Sequence, residues 1–304
     1  MVRHQTLTAP VRALDPLGRP APSLAAEFAS APPVTRGDPT RDEHFIAAFA
    51  RFVERVLVPW HRFECRGLEH VPLGPALYVS NHSGSMNPVD SWLVPWAIYR
   101  TFGLAEVPFG LAHDGVLKLP ALGAIARRFG MMPANHASAH RIFAHGLKAI
   151  VYPGGDLDAN RPFRARHEVR FGGRTGFVRC ALRERVPIVP IATAGAQSTL
   201  LVLSDGQSLA RLIRAPQLLR MKVWPVTLSL PWGLTIGPPP PHIPWPATIH
   251  SEILAPIALP DVDPDERIRV GALAEEVRSL IEAAVARLAR GIRRRRSFGR
   301  RPFP

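Results

Sequence analysis

The residues Asn81-His82-Ser83-Gly84-Ser85-Met86-Asn87-Pro88-Val89-Asp90 put an imidazole, a run of small residues and a carboxylate into one short stretch. A histidine whose ring is oriented by a carboxylate, which also stabilises its protonated form, is a competent general base. Ser83 and Gly84 carry little side-chain bulk, so a substrate can come close to the imidazole. A helix is predicted from Pro88 with Asn87 as its N-cap, and Asp90 in its first turn can reach back towards His82. The same residues support a plainer assignment. In that one, Asn87 caps the helix and Asp90 is an acid at its positive end. The local sequence leaves both open.

Other residues invite chemistry further along. Pro153-Gly154-Gly155 ends a predicted strand; its backbone can approach reacting groups and supply donors to an oxyanion, although Pro-Gly-Gly also reads as a simple turn. Arg161, Arg164, Arg166, Arg170 and Arg174 are candidates for phosphate contacts, Arg161 first because it follows the Gly-Gly turn most closely. Ser83 and Ser85 beside His82 raise the alternative of a serine-type lipid ester hydrolase, but the chain has no Gly-x-Ser-x-Gly elbow. His242 and His250 therefore have no nucleophile to activate. His113, His136, His140 and His145 lack Cys or Asp partners, and His136 with His140 does not complete His-Glu-x-x-His. They read as surface or packing residues, and no metal or cofactor is expected.

What must position these residues is an alternation of strands and helices. Residues 45–60 have helical apolar spacing and open the domain. Strands are predicted at 76–80, 107–112, 149–152 and 187–193. Helices are predicted at 88–102 with an interruption at Pro95, from an Asp114 cap to Arg128, at 137–148, at 175–185 and at 264–290. This order favours an α/β fold, a single domain with a largely parallel mixed sheet flanked by helices. The segment 224–246 is expected to form short strands and a rim loop, its tryptophans packed on the sheet in preference to a lipid interface. The predicted organisation is a mobile Pro/Ala-rich leader at 1–41, a catalytic domain at 42–290 and an Arg-rich tail at 291–304.

Charge narrows the partners. Lys and Arg number 38 against 24 Asp and Glu, a formal net charge of +14 over 304 residues, which attracts polyanions. Nucleic acid is not expected, because only Phe298 and Phe303 accompany the terminal arginines and no reading helix lies beside them. Arginines interleaved with phenylalanines suit an anionic membrane surface. Two cysteines without pairing or zinc spacing fit a reducing cytoplasm. The sequence shows no signal peptide and no window of about 18 apolar residues. Association is thus expected at the cytoplasmic face of a membrane, without a transmembrane helix. A non-catalytic basic membrane-binding protein remains the non-enzymatic alternative.

In company, these blocks resemble the phospholipid/glycerol acyltransferase family. Asn81-His82 followed by an acid is similar to its first motif, usually written His-x-x-x-x-Asp. The longer spacing to Asp90 here, with Ser-Gly after the histidine, resembles a bacterial branch. Val151-Tyr152-Pro153-Gly154-Gly155-Asp156 resembles the third motif, with Gly154 where a glutamate is usual, and Val186-Pro187-Ile188-Val189-Pro190 the fourth. Gly130-Met131-Met132-Pro133-Ala134-Asn135 holds the place of the second motif without its substrate-binding arginine, for which Arg141 is the nearest substitute. The resemblance implies transfer of an acyl group from acyl-CoA or acyl carrier protein to a hydroxyl of a glycerolipid. It assigns His82 and Asp90 as the catalytic pair, and Ser83, Gly84, Arg141, Gly154, Gly155 and Arg161 to the substrate.

Overall fold

A computed structural model describes residues 39–85, 87–218 and 221–298. The predicted leader falls almost wholly outside the described residues, as do the last residues of the predicted tail. Ten strands occur in chain order: β1 Glu64–Arg66, β2 Leu77–Ser80, β3 Phe109–Ala112, β4 Met132–Pro133, β5 Ala149–Val151, β6 Ile188–Ala194, β7 Leu201–Ser204, β8 Val226–Ser229, β9 Gly233–Ile236 and β10 His250–Ile253. The main helices are α1 Glu43–Phe52, α2 Asp90–Phe102, α3 Asp114–Lys118, α4 Pro120–Arg128, α5 His136–Ala144, α6 Gly155–Ala159, α7 Gly176–Glu184, α8 Gln207–Leu212, α9 Ala215–Leu218 and α10 Arg267–Phe298.

Seven strands form one sheet in the order β1-β10-β6-β2-β5-β3-β4, and β7-β8-β9 form a separate antiparallel sheet. In the large sheet β6, β2, β5, β3 and β4 run parallel, while β10 is antiparallel to β6 and carries β1 parallel beside it. The expected α/β architecture, a largely parallel mixed sheet between helices, is borne out. β2 lies at the middle of the sheet and is buried on both faces, as its unbroken apolar run requires. Leu77 and Val79 enter a core shared with Ile142 and Phe143 of α5, Phe177 and Val178 of α7, and Val277 and Ile281 of α10. Tyr78 points the other way, into a core with Leu93, Val94 and Ile98 of α2.

Several boundaries differ from expectation for identifiable reasons. The helix predicted from Pro88 begins at Asp90, and Asn87 is not its cap: the Asn87 amide donates to the His242 carbonyl at 3.0 Å. α2 continues through Pro95. The helix predicted over 114–128 is divided at Leu119-Pro120, and His113, not Asp114, caps its first part by accepting the Gly115 N–H at 3.0 Å. α10 runs on to Phe298, into the segment expected to be a tail. No helix among the described residues is long and apolar enough to cross a membrane.

Candidate active site

β2 delivers its following residues to the carboxyl-terminal edge of a parallel sheet, the edge at which open α/β sheets place their ligands. Asn81 extends the strand by side chain: its amide donates to the Thr193 carbonyl at 3.0 Å and its oxygen accepts the Thr193 N–H at 2.8 Å. This bridge to β6 fixes the residue before His82. Gly84 and Ser85 then take positive φ, 80° and 51°, and turn the chain into α2.

That turn brings Asp90 back to the imidazole. His82 Nδ1 lies 3.5 Å from Asp90 Oδ2, a long contact that a small ring rotation closes into a hydrogen bond. Asp90 is buried, and its other oxygen accepts the Ser91 N–H at 2.9 Å, which leaves Oδ2 aimed at the imidazole. His82 Nδ1 and Asp90 Oδ2 are both buried and make no other hydrogen bond among the described residues. The His82 ring also packs against Tyr152, with centroids 4.4 Å apart and planes inclined by 33°. Burial pushes the Tyr152 phenol well above its ordinary range, and the Asp90 carboxylate adds to the shift, so this ring is a neutral wall.

The main chain of His82 is clamped from α6 and the residue group just after it. Asp158 Oδ2 accepts the His82 N–H at 2.5 Å, and Arg161 Nη1 donates to the His82 carbonyl at 2.6 Å. The same Nη1 donates to Asp158 Oδ1 and to the Asp158 carbonyl, each at 2.7 Å, while Nη2 reaches Ser83 Oγ at 3.3 Å. The Arg170 N–H also donates to Asp158 Oδ1, at 2.9 Å, and the Gln197 amide donates to the Arg161 carbonyl at 2.6 Å. Asp158 is 0% exposed and Arg161 1%. Burial pushes the Asp158 carboxyl up, against the downward pull of Arg161 and the two amides.

The structure therefore brings His82, Asp90, Ser83 and Gly84 together, and places Arg161 against the main chain of His82. Its guanidinium is buried, with Nη1 donating to the His82 carbonyl and to Asp158 and Nη2 to Ser83 Oγ, while its buried Nε has no hydrogen-bond partner among the described residues. Gly154 and Gly155 do lie beside the site, at the start of α6. The Gly155 N–H donates to the Tyr152 carbonyl at 3.0 Å, however, and is not available to an oxyanion. The turn is held by Arg174, which donates to the Pro153 carbonyl at 2.9 Å, to the Gly154 carbonyl, and to Asp156 at 3.1 Å. Arg170 pairs with Glu168 and Asp205. Arg141 stands exposed in the last turn of α5 with its Nε towards the Ala137 carbonyl, and no described contact joins it to His82. His140 contacts Glu184 at 2.9 Å and His145 the Arg141 carbonyl at 2.7 Å, and the described residues contain no cluster able to hold a metal.

Asp158 and Tyr152 escaped the sequence reading. Tyr152 carried one signal, its place immediately before the Pro-Gly-Gly turn. Asp158 carried only the pattern of an acid shortly after a glycine turn, and nothing in it announced a bond to a residue 76 positions earlier.

Comparison with known proteins bears on the same region. The family profile described as Acyltransferase matches residues 62–194, which contain every residue of this site except Gln197 and His242. The uncharacterized protein Rv0502 of Mycobacterium tuberculosis is 32% identical over 263 residues, covering 85% of this chain and 70% of that protein. A Gallus gallus protein named as a DGAT1/2-independent enzyme synthesizing storage lipids is 28% identical over 134 residues, 44% of this chain and 39% of its own. In fold, the chain is similar to the 1-acyl-sn-glycerophosphate acyltransferase PlsC from Thermotoga maritima, with a TM-score of 0.50, 16% identity, and coverage of 80% of this chain and 79% of that one. The profile spans strands β1 to β6 and the His82 loop, the relatedness extends along most of the sequence, and on these grounds the chain belongs to the acyltransferase family.

Proposed function

We propose that this acyltransferase moves a fatty acyl group from acyl-CoA or an acyl carrier protein to a hydroxyl of a lysophospholipid or other glycerolipid, at a membrane surface. The observation that carries the reading is the buried contact between His82 Nδ1 and Asp90 Oδ2 at the end of β2. With Nδ1 turned to the carboxylate, Nε2 is the nitrogen left for the acceptor. It removes the hydroxyl proton as the oxygen attacks the thioester carbonyl, and Asp90 stabilises the imidazolium that forms. The thiolate leaving group then takes up the proton, and the oxygen ester and free thiol are the products. Asp158 and Arg161 hold the His82 backbone so that the ring meets the hydroxyl in one geometry.

The serine hydrolase alternative finds no support at Ser83, which is buried with its Oγ accepting from Arg161. The test is thiol release from acyl-CoA, and from acyl carrier protein thioesters, by wild type and His82→Ala. Each is assayed with and without a panel of lysophospholipids and acylglycerols. Acceptor-dependent release that disappears in His82→Ala is the expected result. Acceptor-independent release would transfer the case to a thioesterase, and turnover with none of the panel would sink the glycerolipid reading.

A further inference from the structure

Strands β8 and β9 of the small sheet alternate in the reverse of the usual sense. Across the β8–β9 ladder Val226 faces Ile236 and Leu228 faces Leu234, and these side chains point away from the protein. Leu234 is 62% exposed and Ile236 65%, with Leu228 and Leu230 exposed beside them. The polar residues of the same strands point inward. Thr227 is fully buried and meets Thr235, Oγ1 to Oγ1, at 2.7 Å, and Ser229 is buried next to it. An antiparallel sheet with one solvated face normally places apolar residues in and polar residues out. Here the outward face is aliphatic, and Trp232, at 53% exposure, adds a ring whose N–H is satisfied by the Pro241 carbonyl at 2.7 Å.

We infer that this outward face is where the enzyme docks on a lipid bilayer, the source of its acyl acceptor. The inference rests on the glycerolipid reading above and says which surface of the protein meets the lipid. Two observations select a bilayer as the occupant. The first is charge: Arg211 and Arg214, in and just after α8, and Lys222 shortly before β8 are exposed and form no ion pair among the described residues. An aliphatic centre with an interfacial tryptophan and neighbouring cations complements acyl chains beneath anionic headgroups. The second is continuity with the His82 loop. The Ile243 N–H donates to the Leu230 carbonyl at 2.9 Å, and the adjoining His242 carbonyl accepts from Asn87 in the loop after His82. On another side the Lys222 N–H donates to Asp156 at 2.5 Å, next to the Gly-Gly turn. The apolar face is thus tied, through the 242–243 segment, to the loop that follows His82, and the connection leading into β8 is tied to the start of α6.

The test is co-sedimentation of the full chain with vesicles of phosphatidylcholine plus phosphatidylglycerol, and of phosphatidylcholine alone. Wild type is compared with the double variant Leu228→Glu/Leu234→Glu, whose changed side chains lie outside the core. The expected result is a loss of vesicle affinity of about 100-fold in the variant. Thermal unfolding and turnover on a short-chain, water-dispersed acceptor should stay unchanged. A second readout needs no stable double variant: brominated acyl chains should quench wild-type fluorescence by a share that disappears in Trp232→Phe. A folded double variant that sediments as wild type does, or quenching identical in Trp232→Phe, overturns the inference. So does self-association of wild type that the double variant abolishes while vesicle binding persists, which would make the occupant a second copy. His82→Ala should sediment normally. Wild type that sediments through this face yet acylates no glycerolipid would refute the glycerolipid reading and leave the surface intact.

Discussion

The buried Asp158–Arg161 pair offers a test in which stability and turnover must part company. Replacing Arg161 with Met leaves a carboxylate that is 0% exposed without its countercharge, and Asp158→Asn leaves a guanidinium that is 1% exposed in the same position. Either loss should cost about 3–5 kcal/mol of folding stability. At roughly 2–4 °C per kcal/mol for a domain of this size, that lowers the melting temperature by about 10 °C. The double variant Asp158→Asn/Arg161→Met removes both charges, so its deficit should match one single variant and fall about 3 kcal/mol short of the sum. Turnover should not recover with it. An asparagine side chain in place of Asp158 cannot accept from both His82 and Arg170 with two oxygens, and the His82 carbonyl has lost its donor. A misplaced imidazole should lower kcat about 100-fold in all three variants. Urea unfolding gives the stability cycle, and thiol release at saturating acyl-CoA gives kcat. Additive stability losses, or wild-type kcat in the double variant, would refute the reasoning.

Three further outcomes follow from the same geometry. His82→Ala should lose about 1,000-fold in turnover and Asp90→Asn about 100-fold, measured as acceptor-dependent thiol release, with thermal unfolding little changed for His82→Ala. Gly154→Ala should destabilise the protein by about 1–3 kcal/mol in urea unfolding, because the added Cβ would lie 2.2 Å from Asp158 Cβ and 2.5 Å from the Arg170 carbonyl. Acid should destabilise the fold through His61, which is fully buried and whose pKa burial lowers to about 4. Below pH 6.5 the unfolded chain binds a proton that the folded chain refuses until about pH 4, so stability falls as pH drops through that window, by roughly 3 kcal/mol from this residue. Urea midpoints at about pH 7 and about pH 4.5 should converge in His61→Gln relative to wild type, and equal losses in both would exclude His61 as the cause.

The sequence disclosed most where chemistry and local pattern coincided. Apolar runs located β2, β5 and β6, because strands buried on both faces need uninterrupted hydrophobicity. His82 and Asp90 were legible as a pair because a short loop and one helical turn connect them. The partners of Arg161 were hidden for the opposite reason. An arginine near a glycine turn looks like an anion ligand, and only the fold shows it turned inward onto Asp158 and the His82 carbonyl. The role of Asn87 was likewise hidden, since its partner His242 lies 155 positions away. The segment 224–246 was recognised as short strands with a rim loop, yet the direction of its side chains was not. Thr227 and Thr235 gave the inward face to hydroxyls, an orientation that an apolar count along the chain does not reveal.

The pairing of β1 with β10 also sets a timetable for the molecule. Glu64 lies beside His250 and Cys65 beside Ser251, while β10 supplies the neighbour that completes one side of β6. During synthesis β2, the His82 loop, β5 and β6 are all translated before residues 250–253. Throughout that interval β6, buried along its whole length in the finished protein, presents an unpaired edge. The sheet closes only when the end of the domain returns to its beginning, a non-local event that slows folding. The residues proposed for catalysis are therefore translated before the strand that covers the open edge of β6.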